Sequence, residues 1–312
     1  MKIVLIGLAL AAAVAGQAAN AGGSPPKERA CSKTASAAHS ACLYDVLDTF
    51  WINTGKCKNT ADATERAACF EDLRSTPREG REECQDQKEA RLDLCEDLGE
   101  SPYDPVFEAS NFVNPADIGG SVAPNPWLPI IPGQTQIYRS GAEEVTVHIT
   151  GEVKVIDGVP CAVVIDTSRE NGEVLEDTVD WFAQDLQGTV WYCGESTAEY
   201  EEGRPVSVDG SFEAGVDGAR PGIVMKGAPM VGDTYRQEFD LGNAEDAAEV
   251  LSLTGSATAP GGRCTSTCVV TEESTALEPG VVEKKYYAPG IGLILVVKPA
   301  SGTREELIQT TN

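Results

Sequence analysis

Two different spacings of apolar residues divide the chain. Between residues 24 and 98, apolar and cysteine positions recur every three or four residues, as in Cys31, Ala35, Ala38 and Cys42. This spacing is typical of the buried stripe of a helix. From residue 134 onward, apolar and polar residues alternate, as in EEVTVHITGEVKV (143–155), and alternation is typical of strands. We therefore predict an α+β, multidomain protein with a small disulfide-stapled helical bundle followed by an antiparallel β domain.

Start and stop signals predict three helices in the first part. Ser24 is a capping residue followed by Pro25, and Gly55 is expected to end the first helix. The second helix is predicted from about residue 60 to 75. The third begins with the capping box formed by residues 76–79 and ends near Leu98, where Gly99 stops it.

Turn dipeptides punctuate the β part. Asp-Gly or Asn-Gly occurs at 157–158, 171–172, 209–210 and 217–218, and such pairs favour the tight turns of hairpins. A dozen or so short antiparallel strands predict a curved sheet, a barrel or a sandwich. The Gly-containing pieces PGIVMKGAP (221–229) and APGIG (288–292) are interpreted as turns or bends, and NAEDAAEV (243–250) as a place for a helical turn.

The first residues predict export. Lys2 is followed by an apolar run too short to span a bilayer, and Ala19-Asn20-Ala21 resembles a cleavage site. We predict a signal peptide at 1–21, a Cys-rich three-helix domain at 22–98, a Pro/Asn/Gly-rich linker at 99–133 and the β domain at 134–312. The protein is expected to be secreted or periplasmic, with no transmembrane segment.

The ten cysteines are predicted to form disulfides because the chain is expected to be exported. Cys31 and Cys42, like Cys84 and Cys95, are eleven residues apart, or about 16 Å along a helix. A disulfide needs Cα atoms within about 7 Å, so the bridges must join different helices. The predicted disulfide residues are Cys31, Cys42, Cys57, Cys69, Cys84, Cys95, Cys264 and Cys268. Among fifteen formal pairings of the first six, Cys57–Cys95 is favoured.

Cys161 and Cys193 do not fit a simple disulfide prediction. In a simple meander they lie two strands apart, about 9–10 Å, which exceeds the reach of a disulfide. The strand order is then not a simple meander, or the two cysteines pair elsewhere, or they are buried thiols. Cys264 and Cys268 are four residues apart and are expected to staple a loop.

Charge narrows the range of partners. The chain has 49 acidic and 24 basic residues, a formal net charge of −25, which disfavours binding to nucleic acid. Calcium is the one metal for which the acidic residues offer candidate ligands, in the segment that contains Asp180, Asp185 and Gly188. Their spacing does not match a calcium-binding loop, so we predict no metal and no cofactor.

Catalytic signals are sparse. His39 and His148 are the only two histidines, and the chain has neither a nucleophile elbow nor a zinc-binding HExxH motif. His148 is predicted to be an ordinary exposed strand residue. Paired carboxylates would be enough for a glycosidase, so the sequence leaves an enzyme open while favouring a protein without catalysis.

Three pairs of adjacent aromatic residues carry the functional prediction. Neighbouring residues on a strand point to opposite faces of a sheet, so both faces need cover. A ligand, the linker or the helical domain could supply it. The predicted ligand-binding residues are Trp181, Phe182, Trp191, Tyr192, Tyr286 and Tyr287.

We predict a non-enzymatic binding or interaction protein of the bacterial envelope or extracellular space, with an apolar small molecule or a protein as partner. A secreted carboxylate-dependent hydrolase and a structural or surface-assembly subunit remain alternatives. The sequence does not determine the oligomeric state.

A resemblance covers about residues 125–298. It rests on six blocks in order: NPWLPIIPGQTQIYRSG, VIDGVPCAVVIDT, DTVDWFAQDLQGTVWYCGE, FEAGVDGARPGIVM, VGDTYRQEF and LEPGVVEKKYYAPGIGLI. This part resembles a group of uncharacterised bacterial exported proteins, which implies a secreted β-rich module and no known reaction. The architecture is also similar in style to curved-sheet periplasmic proteins that hold lipids or lipoproteins, which is an analogy of fold alone.

Overall fold

The helical part is a hairpin of two long helices with a short helix between them. A computed structural model describes residues 29–311, so the predicted signal peptide and the Ser24 cap lie outside the described residues. The helices are α1 (Ala30–Lys58), α2 (Ala63–Asp72) and α3 (Thr76–Leu98). No helix within the described range is long and apolar enough to cross a membrane.

The predicted helix ends are only partly correct. Gly55 lies inside α1, which continues to Lys58, because one glycine costs a helix only about 1 kcal/mol. Thr76 is the first residue of α3 and forms no capping box; its hydroxyl donates to the carbonyl of Asp72 instead. Gly99, with φ of 87°, ends α3 as predicted.

Three disulfides join these helices. Cys31–Cys95 and Cys42–Cys84 connect α1 to α3, and Cys57–Cys69 connects α1 to α2. The prediction that bridges join different helices is confirmed, whereas the predicted Cys57–Cys95 pair is wrong. Cys57 closes the turn into α2, twelve residues away, because that short loop already holds the two cysteines close together.

Within residues 29–311, fifteen strands, all paired antiparallel, form the β part of the protein. Their bounds are β1 Thr135–Ser140, β2 Glu143–Ile156, β3 Val159–Glu170, β4 Glu173–Gln184, β5 Val190–Glu201, β6 Arg204–Ser207, β7 Phe212–Glu213, β8 Arg220–Met225, β9 Thr234–Arg236, β10 Glu238–Phe239, β11 Asp246–Ala259, β12 Gly262–Thr275, β13 Val282–Ala288, β14 Gly292–Lys298 and β15 Thr303–Thr311.

The strands close into a nearly complete barrel. The sheet order is β10-β8-β5-β4-β3-β2-β1-β15-β14-β13-β12-β11-β9, so the first strand pairs with the last. The two outer strands, β9 and β10, are consecutive in the chain and are separated only by Gln237. The backbone N–H of Gln237 donates to the carbonyl of Asp246 at 2.7 Å, so residues 234–239 bridge the two edges of the sheet. Among the predicted shapes, the barrel is the one observed.

Two local predictions in the β part need correction. Residues 220–225 form β8 rather than a turn, and residues 243–250 contain no helical turn, since β11 begins at Asp246. A turn at Glu202 and Gly203 separates β5 from β6. A β-carbon on Gly222 would lie 2.0 Å from the carbonyl oxygen of Gln237, so glycine lets the closing segment approach β8.

Cys161 and Cys193 form a disulfide with a Cα–Cα distance of 6.8 Å, although β4 lies between their strands. β3, β4 and β5 do form a simple meander, and the two cysteines pair with each other, so all three predicted alternatives are wrong. The predicted separation of 9–10 Å is too large because it assumed regular spacing between the strands. Cys193 is the extra residue of a bulge in the β4–β5 ladder, and the β3–β4 ladder ends at Ala162, next to Cys161. Cys264 and Cys268 are bonded to each other on β12, as expected.

The Pro- and Asn-rich stretch 99–133 packs along the barrel. Phe112 and Phe107 cover the outer face of Trp191, and the backbone of Val113 donates to Gln184. Asn125 is buried and its side-chain oxygen accepts from the amides of Trp127 and Leu128. These contacts direct residues 128–130 to the barrel interior.

Candidate functional site

The barrel encloses a cavity of about 430 Å³, which we call the barrel cavity. One part of its wall is apolar and another part is charged. The apolar lining residues are Leu128, Pro129, Ile130, Val145, Val147, Ile149, Val164, Phe182, Val224, Tyr287, Leu293 and Val296. The charged ones are Glu143, Asp166, Glu283, Lys285, Lys298 and Glu305. Its volume lies in the range of small-molecule sites, which is about 300–1,000 Å³.

The apolar part of the wall depends on the segment before β1. Gln184 holds this segment in place, because its side chain accepts from the backbone N–H of Asn125 at 2.8 Å and donates to the carbonyl of Ala123 at 2.9 Å. The amide of Gly290 donates to the carbonyl of Pro126 at 2.7 Å, which fixes the next residues against β13 and β14. Leu128, Pro129 and Ile130 therefore form a wall that no strand supplies.

Alternation along the strands places the charged residues beside the apolar ones. Glu283, Lys285 and Tyr287 are two residues apart on β13, and all three line the cavity. On β2, Glu143 continues the inward row of Val145, Val147 and Ile149. The cavity is therefore amphipathic by construction.

Both lysines of the cavity are engaged by carboxylates. Lys285 Nζ lies 2.6 Å from Glu273 and 3.9 Å from Glu283, and Lys298 Nζ lies 3.1 Å from Glu283. Burial alone would lower the pKa of Lys285, but Glu273 and Glu283 raise it above its usual value. Within residues 29–311, Asp166 and Glu305 have no ion-pair partner. The cavity wall thus has carboxylates in excess over cations.

Six carboxyl groups in this region have raised pKa values, and we call them the carboxyl cluster: Asp166, Asp180, Glu195, Glu238, Asp246 and Glu305. Burial is the main cause in every case, and neighbouring carboxylates add to it. The pKa of Asp166, of Asp180 and of Glu195 is raised to about 7. The pKa values of these three groups place their titration near neutral pH.

Tyr192 joins two members of the carboxyl cluster. Its hydroxyl oxygen is within hydrogen-bonding distance of Asp180 and lies 2.8 Å from Glu195 Oε2. Burial and the adjacent carboxylates raise the pKa of Tyr192 well above its usual value, so the phenol keeps its proton. A phenol has one proton to donate, so two hydrogen bonds require one carboxyl to carry a proton as well. The hydrogen-bond geometry and the raised pKa values therefore both indicate that Asp180 and Glu195 share a proton.

Three of the six predicted aromatic residues face the barrel interior. Phe182 and Tyr287 line the barrel cavity. Tyr192 stacks on Phe182 with ring centroids 4.8 Å apart, but it contacts the carboxyl cluster rather than the cavity wall. The hydroxyl of Tyr287 donates to Glu273 at 3.1 Å.

The other three aromatic residues are covered by the protein itself. Trp181 lies beneath Lys154, whose Nζ is 3.3 Å from the ring centroid. Trp191 packs against the 99–133 stretch and donates from Nε1 to Asp185 at 3.0 Å. Tyr286 packs with its strand neighbours Val270 and Leu295. Their role as ligand-binding residues stays a prediction, and each of the three packs against other side chains of the protein.

The acidic residues around Gly188 do not converge. Asp185 accepts from the amides of Gln187 and Thr189 and from Trp191, so it is a turn residue. Asp180 belongs to the carboxyl cluster instead. Across residues 29–311, no three His, Cys, Asp or Glu side chains are grouped as metal ligands. The ring of His148 shares a hydrogen bond with the hydroxyl of Thr135, 2.8 Å away.

The charged residues of the cavity were not predicted as site residues. A signal was present, because Glu143, Asp166 and Lys285 are each two residues from an inward apolar or aromatic position. Charged residues on half-buried strands usually lie on the solvent face, so this signal does not identify them as cavity residues. In this barrel, the charged residues extend the inward-facing rows of apolar residues, so they line the cavity.

Comparisons with known proteins assign no family. No protein-family model and no curated protein matches the chain. A crystal structure of a "putative lipoprotein" from Parabacteroides distasonis covers 61% of this chain and 100% of its own, with 10% sequence identity and a TM-score of 0.34. The β-rich character implied by the resemblance of residues 125–298 is confirmed by the fold, while the relationship itself stays a prediction.

Proposed function

We propose that this is an exported, non-enzymatic binding protein whose barrel cavity takes a small molecule with an apolar body and a cationic group. The observation that carries the proposal is the amphipathic wall of the barrel cavity, in which carboxylates exceed cations. An apolar body would bury against Val147, Val164 and Phe182. A cationic group would supply the ion-pair partner that Asp166 lacks within residues 29–311.

The chemistry of the cysteines supports an extracytoplasmic location. All ten are paired in five disulfides, and such bonds persist mainly in oxidising compartments. We propose that the compartment is the periplasm or the extracellular space.

The first prediction tests the cavity with two fluorescent probes that share one ring system. Dansylcadaverine carries an ammonium group, whereas dansylglycine carries a carboxylate. Dansylcadaverine is expected to bind at least about tenfold more tightly, a difference of 1.4 kcal/mol. Its affinity should rise as the pH increases through 7, because Asp166 loses its proton there. The measurement is a fluorescence titration at several pH values.

Matched variants on strand β2 assign the binding to the cavity. Val147→Trp fills the cavity from its wall and should abolish binding, whereas Val155→Trp places the same ring on a 65% exposed position and should leave binding unchanged. Asp166→Asn should remove the preference for the ammonium probe. Equal affinity for both probes, or binding that survives Val147→Trp, would contradict the proposal.

A second candidate function is a carboxylate-dependent hydrolase. The observation in its favour is the pairing of Asp180 and Glu195 through Tyr192, with both carboxyl pKa values at about 7. A carboxyl group with such a pKa can act as a general acid near neutral pH. Hydrolysis of chromogenic glycosides that is lost in Glu195→Gln would support this function over the first.

A further inference from the structure

A second pocket lies where helix α3 meets the closing segment of the barrel. It has a volume of about 110 Å³, and we call it the two-arginine pocket. Arg91 of α3 and Arg236 of β9 both line it, together with Glu245, which precedes β11. Both arginines are almost fully buried, with 3% and 6% exposure.

Among the described residues that line this pocket, Glu245 is the only carboxylate, and it already has partners. Glu245 accepts from Arg91 Nε at 2.9 Å, from Arg91 Nη2 at 2.6 Å and from the amide of Gly242 at 2.8 Å. Arg236 instead lies over aromatic rings, with its guanidinium carbon 4.6 Å from the Phe239 ring and 5.7 Å from the Tyr103 ring. Two cations therefore share one anion.

Each arginine also has a nitrogen without an acceptor. In the part of the chain that the structure describes, Nη1 of Arg91 and Nη1 of Arg236 are both buried and make no hydrogen bond. Arg236 Nη2 has a weak contact of 4.0 Å with the sulfur of Cys31. A buried donor without an acceptor costs about 1–3 kcal/mol, and more when it is charged.

Arginine cannot relieve this cost by releasing a proton, because its intrinsic pKa is too high. Burial does lower the pKa of Arg236, which marks the cost of holding the charge there. A bound anion would neutralise the excess positive charge and offer acceptors to both arginines.

The walls of the pocket indicate which anion fits. Leu98, Tyr103, Phe239 and Leu241 line it beside the two arginines, so one side is charged and the other apolar. A cavity of about 10–15 Å³ on the same measure holds one water molecule, so this pocket has room for several non-hydrogen atoms. We propose that the two-arginine pocket binds a small organic acid, with its carboxylate between Arg91 and Arg236 and its short carbon chain on the apolar wall. This site is independent of any ligand of the barrel cavity.

Thermal unfolding of the full disulfide-bonded chain in different sodium salts tests the site. At equal ionic strength and pH 7, propionate is expected to raise the Tm saturably by a few degrees relative to chloride, since a ligand that binds the native state stabilises it. Sulfate also stabilises proteins in general because it is excluded from their surface, an effect that does not saturate. Its saturable effect should be smaller than that of propionate, because sulfate cannot use the apolar wall. If the saturable effect of sulfate exceeds that of propionate, or if all three salts give one Tm, the proposal is overturned.

Matched variants locate the effect. Arg236→Gln should abolish the propionate effect, whereas Arg263→Gln, at an exposed arginine of β12, should retain it. A propionate effect that persists in Arg236→Gln would overturn the assignment. If Arg236→Gln does not fold, a crystal structure of the wild-type protein grown in propionate decides: density between the two guanidinium groups supports the site, and its absence there overturns it.

Discussion

Glu245→Gln is expected to lower the free energy of unfolding by about 3–5 kcal/mol, because breaking a buried ion pair leaves an uncompensated charge. The side chains of Arg91 and Glu245 are 4% and 1% exposed, and within residues 29–311 Glu245 is the only carboxylate that lines the pocket with the two buried arginines. This pair also joins helix α3 to the barrel. Denaturant unfolding followed by circular dichroism and by tryptophan fluorescence measures the loss.

Two further variants separate charge from packing. Glu71→Gln breaks an exposed pair with Arg74, and it should cost less than about 1 kcal/mol. The double variant Arg91→Met with Glu245→Leu removes both charges of the buried pair, and it should recover part of the stability lost in Glu245→Gln. The recovery should be incomplete, because Arg236 stays buried beside no anion within the described part of the chain. A Glu245→Gln protein within 1 kcal/mol of wild type would show that the buried pair does not hold the helices on the barrel.

The free energy of unfolding is expected to fall as the pH rises from about 4 to above 7. The pKa of Asp166, Asp180 and Glu195 is about 7 in the folded protein, against about 4 in the unfolded chain. The folded state therefore binds more protons in this window, and stability is lost as these protons leave. Because the groups share protons, we expect a total loss of about 2 kcal/mol, less than the sum of three independent groups.

The Asp180→Asn variant tests whether the carboxyl cluster causes this slope of the free energy of unfolding against pH. The variant cannot ionise at position 180, so it should be more stable than wild type at pH 8 and similar to it at pH 5. Glu173→Gln, an exposed position on the same strand, should leave the slope unchanged. Urea unfolding at pH 5, 6, 7 and 8 provides the comparison, and a wild-type stability that increases over this range would contradict the assignment of the carboxyl cluster.

Glu273 is expected to have the opposite effect on the free energy of unfolding, which should fall as the pH is lowered through the pKa of Glu273. Burial raises its pKa, but Lys285 and hydrogen bonds from Lys285, Thr271 and Gln237 outweigh burial, so the net pKa is lowered. Its contribution is present above the usual pKa of a glutamate and is lost as the pH falls through its lower folded value. The stability maximum should consequently lie on the acidic side of neutrality.

The local elements were largely predictable because they depend on neighbours in the chain. The turns at 157–158 and 171–172 connect β2 to β3 and β3 to β4 as expected, since Asp-Gly and Asn-Gly accept the positive φ angles that a tight hairpin needs. The interhelical placement of three disulfides followed from the rise of a helix alone. By contrast, β8 was missed because Pro221 and Gly222 indicate a turn unless a neighbouring segment pairs with them.

The candidate sites were predictable only in part. Alternation placed Phe182 and Tyr287 on a buried face, and both line the barrel cavity. No local pattern indicates that Trp191 is covered by Phe112, some eighty residues earlier, or that Arg91 meets Arg236 and Glu245 in one pocket. The carboxyl cluster was not predicted either, because acidic residues on alternating strands usually face solvent.

By itself, the amino-acid sequence determined the class of protein: helices joined by disulfides, followed by antiparallel strands with defined hairpin turns. Periodicity and turn chemistry are local, so one sequence is enough to read them. Only the tertiary structure decided the closure of the barrel, the Cys161–Cys193 bridge and the burial of charges in two pockets. Those features depend on which distant segments meet, and on the low dielectric environment that their meeting creates around each ionisable group.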